Sequence, residues 1–392
     1  MKCFKRAVRI LLLLGPAVLW AAAGPLCATR EVKRETIAPG CFLTRILDTD
    51  RVLAIFVLKI DLRRPGLRVE AVLAHDELEG RETVPAMVRR LDRPGHRVLA
   101  AVNGDFFSGT APSGLSVNAG RLDRVSRGWS SLVFSSDNRP FIGVFRHSLG
   151  FLTPDGRRLA LSLNRARRAG SIVIYTDVYG KAAGAMTDGR AFRIDPGGRS
   201  ISTRSEMTVR VAAPAPLRET ERIPSGMWVV SFGSRREEDR VRIRVGDRLR
   251  FQSRIDPDPF PVHSAVSGGP RLVRAGKLSV ERDHEGQRKG FEDERHPRTA
   301  AGYTGGGRWL FLAVVDGRQP NRSRGMNLFE LSELMLSLGC DEAVNLDGGG
   351  SSTMVAGGNL INHPSDPTGP RPVVNALMIF DDAAEKSAGG RK

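Results

Sequence analysis

The run Asn345-Leu346-Asp347-Gly348-Gly349-Gly350-Ser351-Ser352 sets a carboxylate before three consecutive glycines and two hydroxyls. Glycines in succession cost backbone entropy, and they serve best where the chain must take positive φ or let a ligand approach the backbone closely. Successive N–H groups in such a turn form a concave nest for an anion, to which Ser351 and Ser352 add hydroxyl donors. A plain flexible loop is the bland alternative, but an apolar strand ahead of the run and an acid at the junction favour a site that holds a phosphate. Asp316-Gly317-Arg318 offers a second acid at a strand end, with a guanidinium suited to bidentate contact with phosphate or carboxylate. Asp-Gly by itself is commonly only a turn, so this motif gains meaning if its site is shared with Asp347.

Asn103-Gly104-Asp105-Phe106-Phe107 also follows an apolar strand. Asn103 and Asp105 are candidates to contact sugar hydroxyls, with Phe106 or Phe107 packing beneath; an Asn-Gly turn is the simpler reading. Ser267-Gly268-Gly269-Pro270-Arg271 and Pro297-Arg298-Thr299-Ala300-Ala301-Gly302 each place an arginine beside loop-forming residues. Singly these are ordinary surface cations. With Arg318, Arg271 and Arg298 would supply the positive potential that stabilises a phosphoryl group during transfer.

The elements that must position these groups are partly readable. Asn327 followed three residues later by Glu330 has the form of a capping box, and Leu328, Leu331, Leu334, Met335 and Leu338 make an apolar stripe ending before Gly339. This predicts a helix from Asn327 to Leu338. It lies between apolar strands at Trp309 to Val315 and Glu342 to Leu346, so Asp316 and Asp347 emerge at the C-terminal ends of two strands joined by a helical crossover. Such a crossover puts both ends on one sheet edge, where ligands gather in open α/β sheets. Helical spacing from Thr83 to Leu91 predicts a second helix before the strand Val98 to Val102. Glu31 to Glu70 and the middle from Asn118 to Arg254 read as short strands broken by turns such as Asp195-Pro196-Gly197-Gly198. Charged stretches at Glu237 to Asp247 and Glu281 to Glu294 are expected as surface hairpins or loops, the second a candidate flap because it precedes Arg298.

The chain opens with Lys2, Lys5, Arg6 and Arg9, an apolar run from Ile10 to Trp20, and Ala21 to Ala23, the order of a secretory leader. Residues 1–28 are therefore expected as a signal peptide and the protein as periplasmic or secreted. The run is shorter than the roughly 20 residues of a membrane span, and no transmembrane anchor is expected in the mature chain. In an oxidising compartment Cys41 and Cys340 form either a bridge or two separate buried thiols. No cysteine and histidine spacing suggests zinc, and no metal or other cofactor is expected. A net charge of +17 favours anionic partners, but no aromatic-interleaved basic patch points to nucleic acid. Outside the cytoplasm an anionic glycan or glycolipid fits the charge better.

Taken in order, the motifs at Asn103–Phe107, Ser267–Arg271, Arg298–Gly302, Val315–Arg318, Gly325–Glu330 and Asn345–Met354 resemble the catalytic domain of the phosphodiester glycosidase family. The resemblance runs from about Val98 to Phe380. It implies hydrolysis of a sugar-1-phosphodiester to free sugar and phosphomonoester, with a glycosyl phosphodiester as partner. By this resemblance Asp347, Asp316 and Glu330 are the catalytic candidates, although the capping box already explains Glu330. Asn103, Asp105, Arg271, Arg298, Thr299, Arg318, Gly348, Gly349, Gly350 and Ser351 are the substrate-binding candidates.

Two rival readings use the same residues: an envelope glycan-binding protein without turnover, and a phosphodiesterase that ligates Mg²⁺ or Ca²⁺ through Asp105, Asp316 and Asp347. The expected fold is α+β, a mixed twisted sheet with few helices and a β-rich middle. Residues 29–97 form an N-terminal β extension of a single catalytic domain at 98–380, and residues 381–392 a disordered tail.

Overall fold

The strand Leu53–Asp61 is apolar at almost every position, which a strand tolerates only when both of its faces are covered. In the computed structural model both are. Ala54, Phe56, Leu58 and Ile60 point into one core, and Ile55 and Val57 into another. The structure describes residues 30–153, 156–168, 170–179, 191–215, 222–232, 243–281, 285 and 287–382. The expected leader, most of the tail, and parts of the charged stretches at 237–247 and 281–294 lie outside the described residues.

Leu53–Asp61 belongs to an eight-stranded antiparallel sheet in the order Arg30–Ala38, Cys41–Asp48, Leu53–Asp61, Trp309–Val315, Arg298–Tyr303, Glu342–Asn345, Arg271–Arg274, Lys277–Leu278. A five-stranded sheet, Asn359–Leu360, Met354–Ala356, Arg97–Asn103, Asn375–Asp381, Leu67–Leu73, packs against its inner face. Leu58, Leu312 and Val344 from the first sheet meet Val69, Val102, Leu377 and Ile379 from the second. Among the described residues each outer face carries one helix. Leu328–Ser337 lays Leu328, Leu331, Leu334 and Met335 on the larger sheet, and Val84–Leu91 lays Val84, Met87 and Val88 on the smaller. The layers run helix, sheet, sheet, helix.

Both helices begin where their side chains dictate. Asn327 accepts from the Glu330 amide at 2.9 Å while Glu330 accepts from the Asn327 amide at 3.1 Å, completing the expected capping box. Thr83 caps the other helix by accepting from the Ala86 amide at 3.3 Å.

The β-rich middle supplies two further sheets, of five and eight strands, around a core that includes Val133, Phe151, Phe232 and Phe251. The strands are thus distributed over several sheets rather than one. Among the described residues pairing is antiparallel apart from Ser162–Leu163 with Ile172–Thr176. Trp309–Val315 and Glu342–Asn345 run in the same direction, as the crossover argument requires, but Arg298–Tyr303 lies between them and pairs with both. Cys41 and Cys340 fall into the cores on opposite faces of the larger sheet and remain free, so they are separate thiols, each pushed up to about 12 by burial. No helix among the described residues is long and apolar enough to cross a membrane.

Candidate active site

Because Arg298 pairs with Val315 and Ala300 with Asn345, the start of one strand and the ends of its two neighbours share an edge. That edge carries Arg298, Asp316 and Asp347. The end of Arg97–Asn103 in the facing sheet is tied to it by a main-chain bond from the Asp347 amide to the Gly104 carbonyl at 3.0 Å, and within the larger sheet the Leu346 amide donates to Thr299 at 2.8 Å. Asn103 is fully buried between them. Its Oδ1 accepts from Thr299 Oγ1 at 2.8 Å and from the Thr353 amide at 3.1 Å, and its Nδ2 donates to the Asp347 carbonyl at 2.6 Å. Asn103 and Thr299 therefore act first as struts that fix Asp347.

Asp347 is half-buried, and desolvation raises its pKa to about 6. The Gly348 amide, donating to its Oδ1 at 3.0 Å, and the positive Arg371 oppose the rise. The Ser351 hydroxyl opposes it too, although it falls short of a well-formed hydrogen bond and, with Ser352 and Thr353, is a buried hydroxyl without a partner. Asp105 is more deeply buried. Its Oδ1 accepts from the Ser267 amide at 2.8 Å and from Asn375 Nδ2 at 2.9 Å, while its Oδ2 is buried with no partner. Desolvation, reinforced by the Asp347 charge, lifts Asp105 to about 8 against those two hydrogen bonds. Two neighbouring carboxylates held at different pKa values are the pattern that acid–base chemistry uses.

The glycine run differs from the expected nest. The Gly349 amide donates to Pro297, Ser351 to Gly348 and Ser352 to Gly349, so these N–H groups are consumed within the protein. The glycines instead let cations close in. Gly349 has φ of +64°, and a Cβ there would stand 3.1 Å from Arg318 Nη2. At Gly350 a Cβ would strike the ion pair of Arg371 with Asp366, which is bidentate at 2.7 and 3.0 Å. Arg298, on the other flank of the turn, is 2% exposed and has no carboxylate among its hydrogen-bond partners. Its Nε donates to the Met326 carbonyl at 3.0 Å and its Nη2 to Glu294 at 2.5 Å, and its guanidinium lies 5.0 Å from the Phe291 ring centre. Burial and the nearby Arg318 bring it down to about 10. His296, beside both arginines, bonds Glu294 at 3.0 Å and is held below its ordinary value chiefly by burial.

Three candidates are engaged by neighbouring groups of the fold. Asp316 is buried at the shared edge, but its carboxylate accepts from Asn362 Nδ2 at 3.0 Å, from the His363 amide at 3.0 and 3.1 Å, and from Arg322 Nε at 3.2 Å. It anchors the loop that follows Leu360. Glu330 caps its helix and pairs with Arg295. The Arg271 guanidinium is engaged by Glu342, whose strand position pairs with Tyr303 at the far end of the sheet, so Arg271 does not join the other arginines. Among the described residues no three His, Cys, Asp or Glu side chains assemble a metal site, and Asp105, Asp316 and Asp347 form no ligand triad.

The site also holds groups the sequence did not single out. Trp129 and Phe291 meet the expected Phe106 at 5.8 Å, edge-on, and at 6.4 Å, making a half-exposed aromatic wall between Asp105 and Arg298. Phe107 points away, under Arg81. Glu285 is buried and accepts from the Ser130 amide and hydroxyl, both at 2.7 Å, and from the Arg271 amide at 2.8 Å, so the expected flap is pinned at this point. An acid amid charged residues gives no sequence signal for such burial.

A family model described as phosphodiester glycosidase matches residues 181–380. The N-acetylglucosamine-1-phosphodiester alpha-N-acetylglucosaminidase of Bos taurus is 36% identical over 150 residues, covering 36% of this chain and 27% of its own. The chain thus spans about a quarter of the length of that curated relative. A hypothetical protein from Synechocystis superposes with a TM-score of 0.72 at 21% identity, covering 90% of this chain and 64% of that one. A protein of Burkholderia pseudomallei K96243, assigned as exported, superposes at 0.65 with 26% identity, covering 83% and 74%.

Proposed function

The chain belongs to the phosphodiester glycosidase family, and on that premise we propose that it hydrolyses a sugar-1-phosphodiester of the N-acetylglucosaminyl-phosphate type, releasing free sugar and a phosphomonoester. The substrate is an envelope or extracellular glycan or glycolipid, met after export. The single observation that carries this reading is the pairing of Asp347 with Asp105, whose Oδ2 is free, beside a turn flanked by Arg298, Arg318 and Arg371.

The diester phosphate lies against Arg298 and Arg318. Arg298 is held rigid by three main-chain carbonyls, so its remaining N–H groups are aimed before substrate arrives, and preorganised donors of this kind stabilise charge that develops in the transition state. As the bond from the anomeric carbon to the phosphate oxygen breaks, positive charge grows on the sugar ring. Asp347, ionised above about pH 6, faces that charge or takes the proton of the attacking water. Asp105, protonated up to about pH 8, hydrogen-bonds the departing oxygen or a sugar hydroxyl. A phosphate leaves readily as an anion, so protonation contributes less here than with an alcohol leaving group. Asp316 is a positioning residue in this scheme rather than a partner of Asp347. Phe106, Trp129 and Phe291 provide a face for the sugar or its aglycone.

The test is release of free sugar from a synthetic α-N-acetylglucosaminyl phosphodiester, compared between the wild-type protein and Asp347→Asn. Equal rates in the two proteins would remove Asp347 from the chemistry.

A further inference from the structure

Arginines rarely gather without acids between them, because each buried cation costs desolvation and repels the next. Arg124, Arg127 and Arg165 do gather. Arg124 ends the strand Arg121–Arg124, and Asn164 Nδ2 donates to the carbonyl of Asp123 at 3.0 Å, which sets the residue before Arg165 against the residue before Arg124. The Arg124 Nε and the Arg165 Nε and Nη2 are buried and donate to nothing. Among the described residues none of the three is in a salt bridge, and the groups that favour the Arg124 charge are the Tyr179 phenol and, less, Glu79. Arg124 and Arg165 each lie below the ordinary arginine value, first because of burial and then because of their arginine neighbours.

The cluster adjoins the candidate active site. The Arg124 charge is felt by Asp105. Arg127 stands 6.0 Å from the centre of the Trp129 ring, and Trp129 leads through Phe106 and Phe291 to Arg298. One aromatic wall therefore has unneutralised arginines at both ends. Only the end at Arg298 is used by the scheme above, and Arg124, Arg127 and Arg165 all precede the stretch 181–380 matched by the family model.

We propose that Arg124, Arg127 and Arg165 form a second oxyanion subsite, which takes a phosphate or carboxylate carried on the aglycone beyond the scissile diester. The inference rests on the functional reading given above. It makes the preferred substrate a multiply charged anion spanning the wall, and it gives part of the net charge of +17 a specific task.

The experiment uses three synthetic α-N-acetylglucosaminyl phosphodiesters, with a neutral, a phosphate-bearing and a carboxylate-bearing aglycone. Their KM values are compared in the wild-type protein, Arg124→Gln, Arg165→Gln and the more exposed Arg127→Gln, and the same ligands are titrated calorimetrically into Asp347→Asn with and without Arg165→Gln. At least one charged aglycone is expected to lower KM about tenfold or more relative to the neutral one, the size of a lost charge-assisted hydrogen bond. That ratio should fall to about one in the glutamine variants, and the two charged arms show which oxyanion is taken. Arg165→Gln should also raise the melting temperature, since repulsion is relieved, whereas a merely structural arginine would lower it. A ratio near one in the wild-type protein, or one unchanged in every variant, overturns the subsite. If no diester is hydrolysed yet Arg165→Gln still weakens binding of a charged ligand, the functional reading fails and the subsite stands.

Discussion

Asn103 Nδ2 donates to the main-chain carbonyl of Asp347 at 2.6 Å, joining the end of a strand in one sheet to the acid that follows a strand in the other. The same side chain accepts from Thr299 and Thr353, so a single amide sets the spacing of three segments. Its replacement by alanine should move Asp347 more than it removes a substrate contact. Asn103→Ala is expected to lower kcat by roughly 10²-fold with KM little changed, because small misplacements carry penalties of that size. Steady-state kinetics on a synthetic diester distinguishes this from a loss of binding, which would raise KM instead.

The carboxylate pair predicts a bell-shaped pH profile. Asp347 must be ionised, and activity should fall as pH drops below about 6; Asp105 must be protonated, and activity should fall as pH rises above about 8. The two limbs belong to the coupled pair rather than to either acid alone. Asp105→Asn keeps an acceptor for the Ser267 and Asn375 donors but no longer titrates. The alkaline limb of kcat/KM should then disappear, and its persistence would assign that limb to another group.

Asp105 also makes a stability prediction of definite sign. Its pKa is raised from an ordinary 3.8 to about 8, so the folded state holds the proton more tightly than the unfolded chain does. Its contribution is fully present below about pH 4 and is lost as pH rises through about 8. Asp105→Asn should therefore gain melting temperature relative to the wild-type protein at pH 8 to 9 and show little gain at pH 4. A constant difference across that range would contradict the assignment.

Arg318 is exposed and touches the glycine turn without being built into the fold. Arg318→Ala is expected to raise KM for a phosphodiester about tenfold and to weaken its salt dependence, while stability changes by no more than about 0.5 kcal/mol. Arg298 differs, since three main-chain carbonyls depend on it. Arg298→Lys should lose both activity and stability, measured by kinetics and by thermal melting.

Glu330 separates capping from catalysis. Glu330→Ala should destabilise the protein by roughly 0.5–2 kcal/mol through its helix N-terminus while leaving kcat within about threefold at a permissive temperature. A loss of several orders of magnitude in kcat without a change in melting temperature would return it to the chemistry.

What could be read from the sequence was mainly local. The helix Leu328–Ser337 was legible because its cap and apolar stripe lie within one segment, and the strand Trp309–Val315 because its apolar run ends at an acid and a glycine. The common edge of Asp316 and Asp347 followed from strand direction alone. The identity of the strand between them did not, because pairing with Arg298–Tyr303 is decided by nonlocal packing. The partners of Asp316 were not legible, because Asn362 and His363, which donate to its oxygens, lie 46 and 47 residues further on. Arg371, Glu285 and Asn375 carry no local motif, and they enter the site only through tertiary contacts. The glycine run was legible as a close-approach element, but what approaches is arginine side chains rather than a bare nest of amides.

In the proposed reaction Asp347 does the chemistry on a glycosyl phosphodiester. The most direct test measures free sugar released from an α-N-acetylglucosaminyl phosphodiester by wild-type protein and by Asp347→Asn, with calorimetric binding of the same substrate to the variant. Turnover by the wild-type protein, a loss of at least roughly 10²-fold in the variant, and retained binding through the arginines are expected. Turnover that survives in Asp347→Asn, or an absence of turnover in the wild-type protein, would contradict that role.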